Sequence, residues 1–272
     1  IGELLGETKR VHPKDTHAKP RLSIRAGDIW PESDRAVVLK DVYLSVNAGS
    51  ILGIAGVSGN GQDTLFNVLS GELTLPNPES MLLEGEIIGH LPIEARCHVG
   101  VLSAPEGRLG HAAGPELTLW ENVILSARHT RGIMKNEHLI SGNTAKAFAA
   151  EIIETFDVRT SSVYAKASSL SGGNLQKFLI GRELLGAPRV FIVSNPTWGV
   201  DAKAQQFIHQ RLIELAETGC AVVLMSQDID ELLTVTDRIC AICHGQLSRT
   251  HDTEVMTAEH LGALMLGQEV MA

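Results

Sequence analysis

The sequence predicts an α/β fold built on a largely parallel β-sheet, and two observations carry this prediction. Short, almost uninterrupted apolar segments recur along the chain and alternate with longer segments of helical character, as in proteins with crossover helices. One apolar segment, residues 51–55, runs into a glycine-rich turn and then into an apolar helix. With 272 residues, the chain is long enough for one large domain with its own core.

The first fifty residues divide into two parts. Residues 1–20 are rich in Lys, His and Pro, and we expect a flexible lead-in or interdomain linker there. Residues 21–50 alternate between apolar and polar side chains, which predicts antiparallel strands near residues 22–24 and 42–46. A turn is expected at residues 47–49, directly before the first buried strand.

A degenerate phosphate loop follows that strand. The pattern Gly-x-x-x-x-Gly-Lys-Ser/Thr between a strand and a helix holds phosphates with backbone N–H groups, a Lys and a Mg²⁺-binding hydroxyl. Here Gln62 stands at the Lys position and Asp63 at the Ser/Thr position, so a positive charge is lost and a carboxylate faces the phosphate oxygens. The apolar helix is expected over residues 65–69. The candidate nucleotide-binding residues of the loop are Gly56, Ser58, Gly59, Asn60, Gly61, Gln62, Asp63 and Thr64.

The middle of the chain is predicted to be helical. Residues 106–170 contain an apolar segment at 120–125 and an Ala-rich segment at 144–156, and both favour helices. The connection near Glu106 to Thr118 is expected to be a loop.

A second candidate anion site begins at residue 170, where the sequence reads Leu-Ser-Gly-Gly-Asn-Leu-Gln. Ser171 offers a hydroxyl, Gly172 and Gly173 allow close backbone approach, and a helix is expected from Asn174 onward. Free N–H groups at a helix start, together with the helix dipole, favour an anion.

Two more buried strands are predicted, and polar residues follow each of them. Residues 189–193 are followed by Ser194, Asn195 and then Pro-Thr-Trp-Gly-Val-Asp, which ends at Asp201. Residues 221–225 are followed by Ser-Gln-Asp, with Gln227 in the middle. A terminal helix is expected over residues 257–266.

Residues 170–176 and 196–201 together resemble the signature loop and a neighbouring loop of the ATP-binding cassette (ABC) family. The resemblance covers about residues 21–268 and implies a P-loop NTPase (ABC ATPase) core with an antiparallel β subdomain and a helical signature subdomain. The implied division is a core with its β subdomain at 21–105 and 171–250, a helical subdomain at 106–170 and a C-terminal helix at 251–272.

The resemblance also identifies which catalytic positions have changed. In the ABC family, Asp-Glu precedes Pro-Thr and serves Mg²⁺ and the attacking water, a His follows the next strand, and a Gln stands where this chain has Glu106. Here the first three positions are Ser194, Asn195 and Gln227. Ser and Asn cannot act as a base at neutral pH, and losing a positioned base costs about 10²–10⁴ in rate. We expect little or no hydrolysis in this pocket; whether ATP and Mg²⁺ bind there stays open, with Asp63 as the candidate metal ligand.

In the ABC family the signature loop serves a neighbour, because it contacts the γ-phosphate of ATP held by a second cassette. The resemblance implies that Ser171, Gly172, Gly173 and Asn174 complete a partner's ATP site, and that Asp201 crosses the interface to align the partner's phosphate loop. The loops are most similar to the second cassette of tandem ATP-binding proteins in bacterial importers of simple sugars and nucleosides. Such a cassette works with another one, expected in the N-terminal half of the same polypeptide, and the first residue, an Ile rather than Met, agrees with a segment of a longer chain.

Composition restricts the partners. With 32 acidic against 23 basic residues and 4% aromatic residues, the chain lacks the basic character of nucleic-acid-binding proteins. No run approaches 18 apolar residues, so direct membrane insertion is not expected. The resemblance implies transmembrane permease subunits as partners and a peripheral location at the cytoplasmic face of the inner membrane.

Three other interpretations remain. One is a stand-alone ATPase in which Asp63, Glu106 and Asp228 bind metal or water. Another is an ABC ATPase of DNA repair or translation, which the acidic balance and the lack of heptads oppose. The third is a purely structural remnant of a cassette. The sequence Cys240-x-x-Cys243-His244 matches a haem-attachment motif, but it lies in an apolar strand, so we expect structural cysteines there.

Overall fold

The structure, a computed structural model, describes residues 19–31, 33, 36–128, 131–136 and 139–268. Most of the predicted lead-in, residues 1–18, lies outside the described residues. In chain order the described strands are β1 (Pro20–Ala26), β2 (Val42–Asn47), β3 (Ile51–Ala55), β4 (Met81–Leu83), β5 (Glu86–Ile87), β6 (Val101–Ala104), β7 (Met134–Asn136), β8 (Leu139–Ile140), β9 (Val190–Ser194), β10 (Ala221–Ser226), β11 (Arg238–Cys243), β12 (Gln246–Leu247) and β13 (His251–Asp252). The described α-helices are α1 (Gln62–Ser70), α2 (Ile93–His98), α3 (Leu119–Ala127), α4 (Gly142–Thr155), α5 (Gly172–Leu184), α6 (Ala202–Glu217), α7 (Ile229–Val235) and α8 (Ala258–Met265).

The central sheet has the order β12-β11-β3-β10-β9-β6, with β13 also paired to β11. The neighbours from β11 to β6 are parallel, while β12 and β13 run antiparallel to β11. Strands β3, β9 and β10 are buried along their whole length, as expected for parallel strands covered on both faces. The parallel sheet predicted from the apolar segments is therefore confirmed.

Successive side chains of these strands supply two separate cores, because they point to opposite faces of the sheet. Phe191 and Val193 pack with the helices α3 to α6 and α8 on one face. Val190 and Ile192 pack on the other face with α1 and with a second sheet of order β2-β1-β4-β5. All pairs of that second sheet are antiparallel, which confirms the predicted antiparallel β subdomain.

The helical lobe consists of α3 and α4 packed against α5, which also contacts β6 and α6 of the core. Arg182 and Glu183, adjacent residues of α5, form a buried ion pair with 2.7 Å between the guanidinium Nε and the carboxylate. Glu183 also accepts a hydrogen bond from Ser126 on α3, and Arg182 donates to the carbonyl of Asn122. These hydrogen bonds therefore join the C-terminal end of α5 to α3.

Several predicted boundaries were wrong. Helix α1 begins at Gln62 rather than at residue 65, and α5 begins at Gly172 rather than at Asn174. The predicted C-terminal helix over 251–272 is shorter, because β13 and a 3₁₀ turn precede α8; residues 269–272 lie outside the described part. The hairpin of β7 and β8 inside the helical region was not predicted. Of the described helices, none has the length and hydropathy required to cross a bilayer.

Candidate functional site

The carboxyl edge of the central sheet brings together polar residues from distant parts of the sequence. Gly56 follows β3, Glu106 lies just beyond β6, Asn195 follows β9 and Gln227 follows β10. The loops at the carboxyl ends of parallel strands are where open α/β sheets bind their ligands. The structure therefore places the predicted phosphate loop and the altered positions Glu106, Asn195 and Gln227 at the same edge of the sheet.

Hydrogen bonds connect four side chains at this edge of the sheet, those of Glu106, Asn195, Gln227 and Ser58. We call this group the pocket bridge. The amide of Asn195 donates to Glu106 Oε2 at 2.6 Å and accepts from the backbone N–H of Gln227 at 3.2 Å. The side-chain amide of Gln227 donates to Ser58 Oγ in the phosphate loop at 2.8 Å. The altered positions are thus linked directly to the loop that would receive phosphate.

The phosphate loop is also occupied from within by Gln62. Its Nε2 donates to the carbonyl of Val57 at 2.9 Å, and its Oε1 is buried without a hydrogen-bond partner. A methyl group at Gly56 would lie 2.4 Å from the same Nε2, so the amide lies against the base of the loop. A side chain folded in this way offers neither the charge nor the reach of a lysine ammonium toward a triphosphate.

Three other predicted loop residues have structural partners. The Thr64 hydroxyl is buried and donates to the carbonyl of Val37 at 2.8 Å, so it is turned toward the β subdomain. The Asn60 amide accepts from the backbone N–H of His244 at 2.9 Å and donates to Val57. Gly61 has a φ of +111°, a conformation that suits glycine, and it starts α1. Gly59 also has a positive φ, of +83°.

The metal ligand proposed from the sequence, Asp63, is exposed in the first turn of α1. There its charge interacts favourably with the helix dipole but opposes a bound phosphate. The described residues contain no group of three or more His, Cys, Asp or Glu side chains placed to hold a metal. The exposed carboxylate of Asp63 thus stands where the complete motif has the hydroxyl that binds Mg²⁺.

Two of the three residues of the stand-alone ATPase interpretation are engaged elsewhere. The Asp228 carboxylate accepts from the backbone N–H of Glu231 and caps α7, while Glu106 receives the amide of Asn195. Behind them, buried Glu231 accepts from Thr197, His209 and Ser226 at 2.9, 2.8 and 2.5 Å. Sequence reasoning missed this network, although the spacing Asp228-x-x-Glu231 is that of a helix cap.

The signature loop lines a different cavity, which we call the signature cleft, with a volume of about 360 Å³. It collects two loops that are well separated in the sequence, the signature loop and the loop that ends at Asp201. The cleft is lined by Asp157, Arg159, Ser171, Gly172, Gly173, Asn174, Lys177, Gly199, Val200, Asp201, Lys203 and Ala204. Helices α5 and α6 both begin here.

The start of α5 keeps its donors free of a side-chain cap. Ser171 is the N-cap residue, but its hydroxyl makes no capping hydrogen bond and instead accepts from the Asn174 amide at 2.9 Å. The Asn174 Oδ1 in turn accepts from the backbone N–H of Arg159 at 2.8 Å. The first N–H groups of an α-helix have no intrahelical partner, so these can bind an anion.

Asp201 has a role within its own chain. Its carboxylate accepts from the backbone N–H of Ala204 at 2.9 Å and caps α6. This hydrogen bond lowers the pKa of Asp201, because it stabilises the ionised form. The carboxylate of Asp201, which we predicted to contact a partner, is therefore held by a hydrogen bond within its own chain.

Both cysteines of the Cys-x-x-Cys-His sequence lie in β11. Cys240 is buried in β11, and burial raises the pKa of its thiol to about 12. All four cysteines of the chain are free. These are the properties of structural cysteines.

Comparison with known proteins agrees with this architecture. The sequence model of the ABC transporter family matches residues 39–198. The chain belongs to the ABC transporter family. A post-hydrolysis dimer of an ATP-binding cassette with ADP and Pi superposes with a TM-score of 0.70 at 24% identity, over 85% of this chain and 98% of that one. A nucleotide-free ATP-binding cassette gives a TM-score of 0.69 at 22% identity, over 91% of this chain and 95% of that one.

Among curated relatives of this family member, the nucleoside import ATP-binding protein NupA of Lactococcus lactis is 37% identical, over 88% of this chain and 47% of the relative. The guanosine import ATP-binding protein NupO of Bacillus subtilis is 35% identical, over 92% and 49%. The xylose import ATP-binding protein XylG of Moorella thermoacetica is 30% identical, over 96% and 52%. The chain thus spans about half the length of the curated relatives it matches.

Proposed function

We propose that this chain is an ATP-binding cassette of an importer for nucleosides or sugars, with a disabled site of its own and a signature loop that serves a second cassette. The printed functions of the relatives, import of nucleosides, guanosine and xylose, support the transport class. The match to about half of each relative supports a second cassette, in the same polypeptide or in another subunit. The solute, the partner and the activity of the whole protein belong to this proposal.

The first argument concerns this chain's own pocket. Ser194 and Asn195 replace the carboxylates that would serve Mg²⁺ and water, and neither is a base at neutral pH. Asn195 is moreover hydrogen-bonded to Glu106, and Gln62 lies folded inside the phosphate loop. The loss of a positioned base alone costs about 10²–10⁴ in rate, and the loss of phosphate-stabilising charge costs a comparable factor. This pocket is inactive in hydrolysis.

The second argument concerns the signature cleft, and the single observation that carries it is the uncapped start of α5. Ser171, Gly172 and Gly173 line a cleft together with Asp201, and the Ser171 hydroxyl is oriented by Asn174 rather than bound to its own helix. Backbone N–H groups, a hydroxyl and the helix dipole then face a γ-phosphate supplied by the partner. The partner contributes the catalytic residues, and this chain contributes donors.

The cassette works from outside the bilayer. Closure of the two cassettes around ATP drives transmembrane permease subunits, and this chain is held at the cytoplasmic face of the membrane through them. The relatives named as import ATP-binding proteins support this location.

Replacement of Ser171 tests the proposal. In the assembled importer, Ser171→Arg is expected to abolish ATP hydrolysis and transport, because a long cation fills the cleft and removes the hydroxyl. Ser161→Arg, the same change at an exposed position of the helical lobe, is the matched control and should keep both activities. Full ATP hydrolysis by Ser171→Arg would refute the role in trans.

A further inference from the structure

Arg108 is placed where the two loops of the signature cleft meet, although it belongs to neither. It follows Glu106 by two residues and is half-buried. A methyl group at Gly172, the first residue of α5, would lie 2.8 Å from Arg108 Nη1. A methyl group at Gly199, in the loop before Asp201, would lie 3.8 Å from Nη2. The guanidinium therefore contacts both the start of the signature helix and the neighbouring loop.

The charge of Arg108 is poorly compensated at this position. Burial lowers the pKa of Arg108, and the nearby carboxylate of Glu106 opposes that change only in part. Glu106 itself receives the Asn195 amide. Within the described ranges, no carboxylate forms an ion pair with Arg108. A partly desolvated guanidinium with five N–H donors is suited to a phosphate, which it can bind through two parallel hydrogen bonds.

The three cations that line the cleft, Arg159, Lys177 and Lys203, differ from Arg108, which lies beside it. Lys177 is held by Asp157, with 3.1 Å to its carbonyl and 3.5 Å to its carboxylate. Arg159 and Lys203 are exposed, where water screens their charge. Arg108 combines a half-buried position, a fixed contact with Gly172 and a charge without an ion-pair partner in the described structure.

We propose that Arg108 donates hydrogen bonds to the γ-phosphate that the signature loop receives, and that it stabilises the negative charge of the transition state in trans. This inference rests on the proposed function of the cleft. Water adds to the γ-phosphorus, the bond to the bridging oxygen of the β-phosphate breaks, and ADP and inorganic phosphate form. The proton of the water goes to a base of the partner cassette, and Arg108 stays protonated throughout.

The contact between Arg108 and Gly172 also explains why residue 172 is a glycine. A side chain at this position would displace the guanidinium, since its first carbon would come within 2.8 Å of Nη1. The absence of a side chain at Gly172 therefore allows a phosphate to approach the backbone closely and leaves room for the guanidinium of Arg108. Cations placed against a transferring phosphoryl group are worth about 10³-fold or more in rate.

The test uses the assembled importer with Arg108→Gln and Arg108→Lys, and with Arg249→Gln as a control that removes one positive charge from an exposed position outside the cleft. We expect Arg108→Gln to lower kcat for ATP by at least about 100-fold with little change in KM, and to abolish vanadate trapping of ADP. Arg108→Lys should retain an intermediate kcat, because it keeps the charge but loses the planar fork. Arg249→Gln should leave both readouts unchanged.

Thermal midpoints and assembly with the partner establish that each variant folds; if Arg108→Gln does not assemble, Arg108→Lys carries the test with the same readouts. Unchanged kcat and vanadate trapping would overturn the inference, and so would equal losses in the Gln and Lys variants accompanied by a matching rise in KM. If Ser171→Arg abolishes hydrolysis while Arg108→Gln does not, only this inference fails. If Ser171→Arg remains active, the proposed function itself fails.

Discussion

Asn195, at a position that we propose has lost its catalytic role, is fixed by hydrogen bonds on both sides of its amide. Its amide binds Glu106 and the backbone of Gln227 at once, and its φ of +45° is one that Asn tolerates better than most residues. A carboxylate at this position could not donate to Glu106 and would repel it. The amide therefore stabilises an arrangement in which the position has a structural role.

Asn174 orients the hydroxyl of Ser171, which we propose binds the partner's nucleotide. Its Nδ2 donates to Ser171 Oγ, and its Oδ1 fixes the backbone at Arg159. The hydroxyl is thus oriented from within the same helix turn, while the backbone donors of that turn are left without a side-chain cap.

Replacing Asn174 should therefore weaken the proposed binding of the partner's nucleotide at the signature loop without unfolding the protein. In the assembled importer, Asn174→Ala is expected to lower kcat for ATP about threefold to tenfold, the equivalent of one hydrogen bond of about 0.5–1.5 kcal/mol. Asn77→Ala, which removes one local side-chain hydrogen bond outside the cleft, is the matched control. An unchanged kcat in Asn174→Ala would mean that Ser171 needs no such orientation.

The sequence predicted the residues whose partners are local and missed those whose partners are distant. Ser171, Gly172 and Gly173 were identified from one short motif. Arg108 was not, because its contacts with Gly172 and Gly199 depend on how three loops converge in the folded chain. The same holds for His209, which reaches Glu231 from another helix.

At the scale of elements, helix starts were the least predictable feature. Two consecutive glycines made a start at Asn174 the reasonable prediction, since glycine has low helix propensity. The helix begins at Gly172 because Ser171 takes the N-cap conformation and α5 is packed between the lobe and the core. Tertiary packing overrides local propensity here, and the two glycines stand in the turn that faces the cleft.

The packing of α5 on α4 depends on Gly181, where glycine is needed because a larger side chain would clash and not because of a special backbone conformation. A methyl group at Gly181 would lie 2.7 Å from Phe156 Cδ2 and 2.9 Å from Ile152 Cγ2, both in the buried core. Gly262 on α8 has room, because the nearest atom to such a methyl group is Ile229 Cδ1 at 3.9 Å. The two sites therefore differ in what an added methyl group would meet.

These glycines give a matched pair of stability predictions. Gly181→Ala should lower the free energy of unfolding by about 1–3 kcal/mol, because overpacking outweighs the gain in helix propensity. Gly262→Ala should raise it by about 0.5–1 kcal/mol, since only the propensity changes. Urea unfolding of both variants measures the difference. Stabilisation by Gly181→Ala would show that α4 and α5 separate easily.

At the scale of the whole molecule, the fold could be predicted from the sequence. The arrangement of the two candidate sites could be predicted only in part. The continuous apolar strands and the strand–loop–helix motif predicted the parallel sheet, because burial on both faces leaves a clear sequence pattern. The short hairpin of β7 and β8 left no such pattern, since Leu139 and Ile140 are largely exposed. The pocket bridge also could not be predicted, because it joins loops from four different strands.

The molecule as a whole has two unlike sites on its loops. One is the phosphate loop, where Gln62 is folded inward and Ser58 is bound by Gln227. The other is the signature cleft, with uncapped helix donors and, against Gly172 at its edge, the half-buried cation Arg108. This asymmetry supports a cassette that contributes to hydrolysis without carrying it out.

The most direct test of this account is the rate of ATP hydrolysis with Mg²⁺ by the chain alone, by its partner cassette alone and by the two mixed. We expect that the chain alone does not hydrolyse ATP and that Asp63→Ala does not change this rate. Hydrolysis should appear when the chain and its partner cassette are mixed. Mg²⁺-dependent turnover by the chain alone that is lost in Asp63→Ala would contradict the account and establish an active site around Asp63.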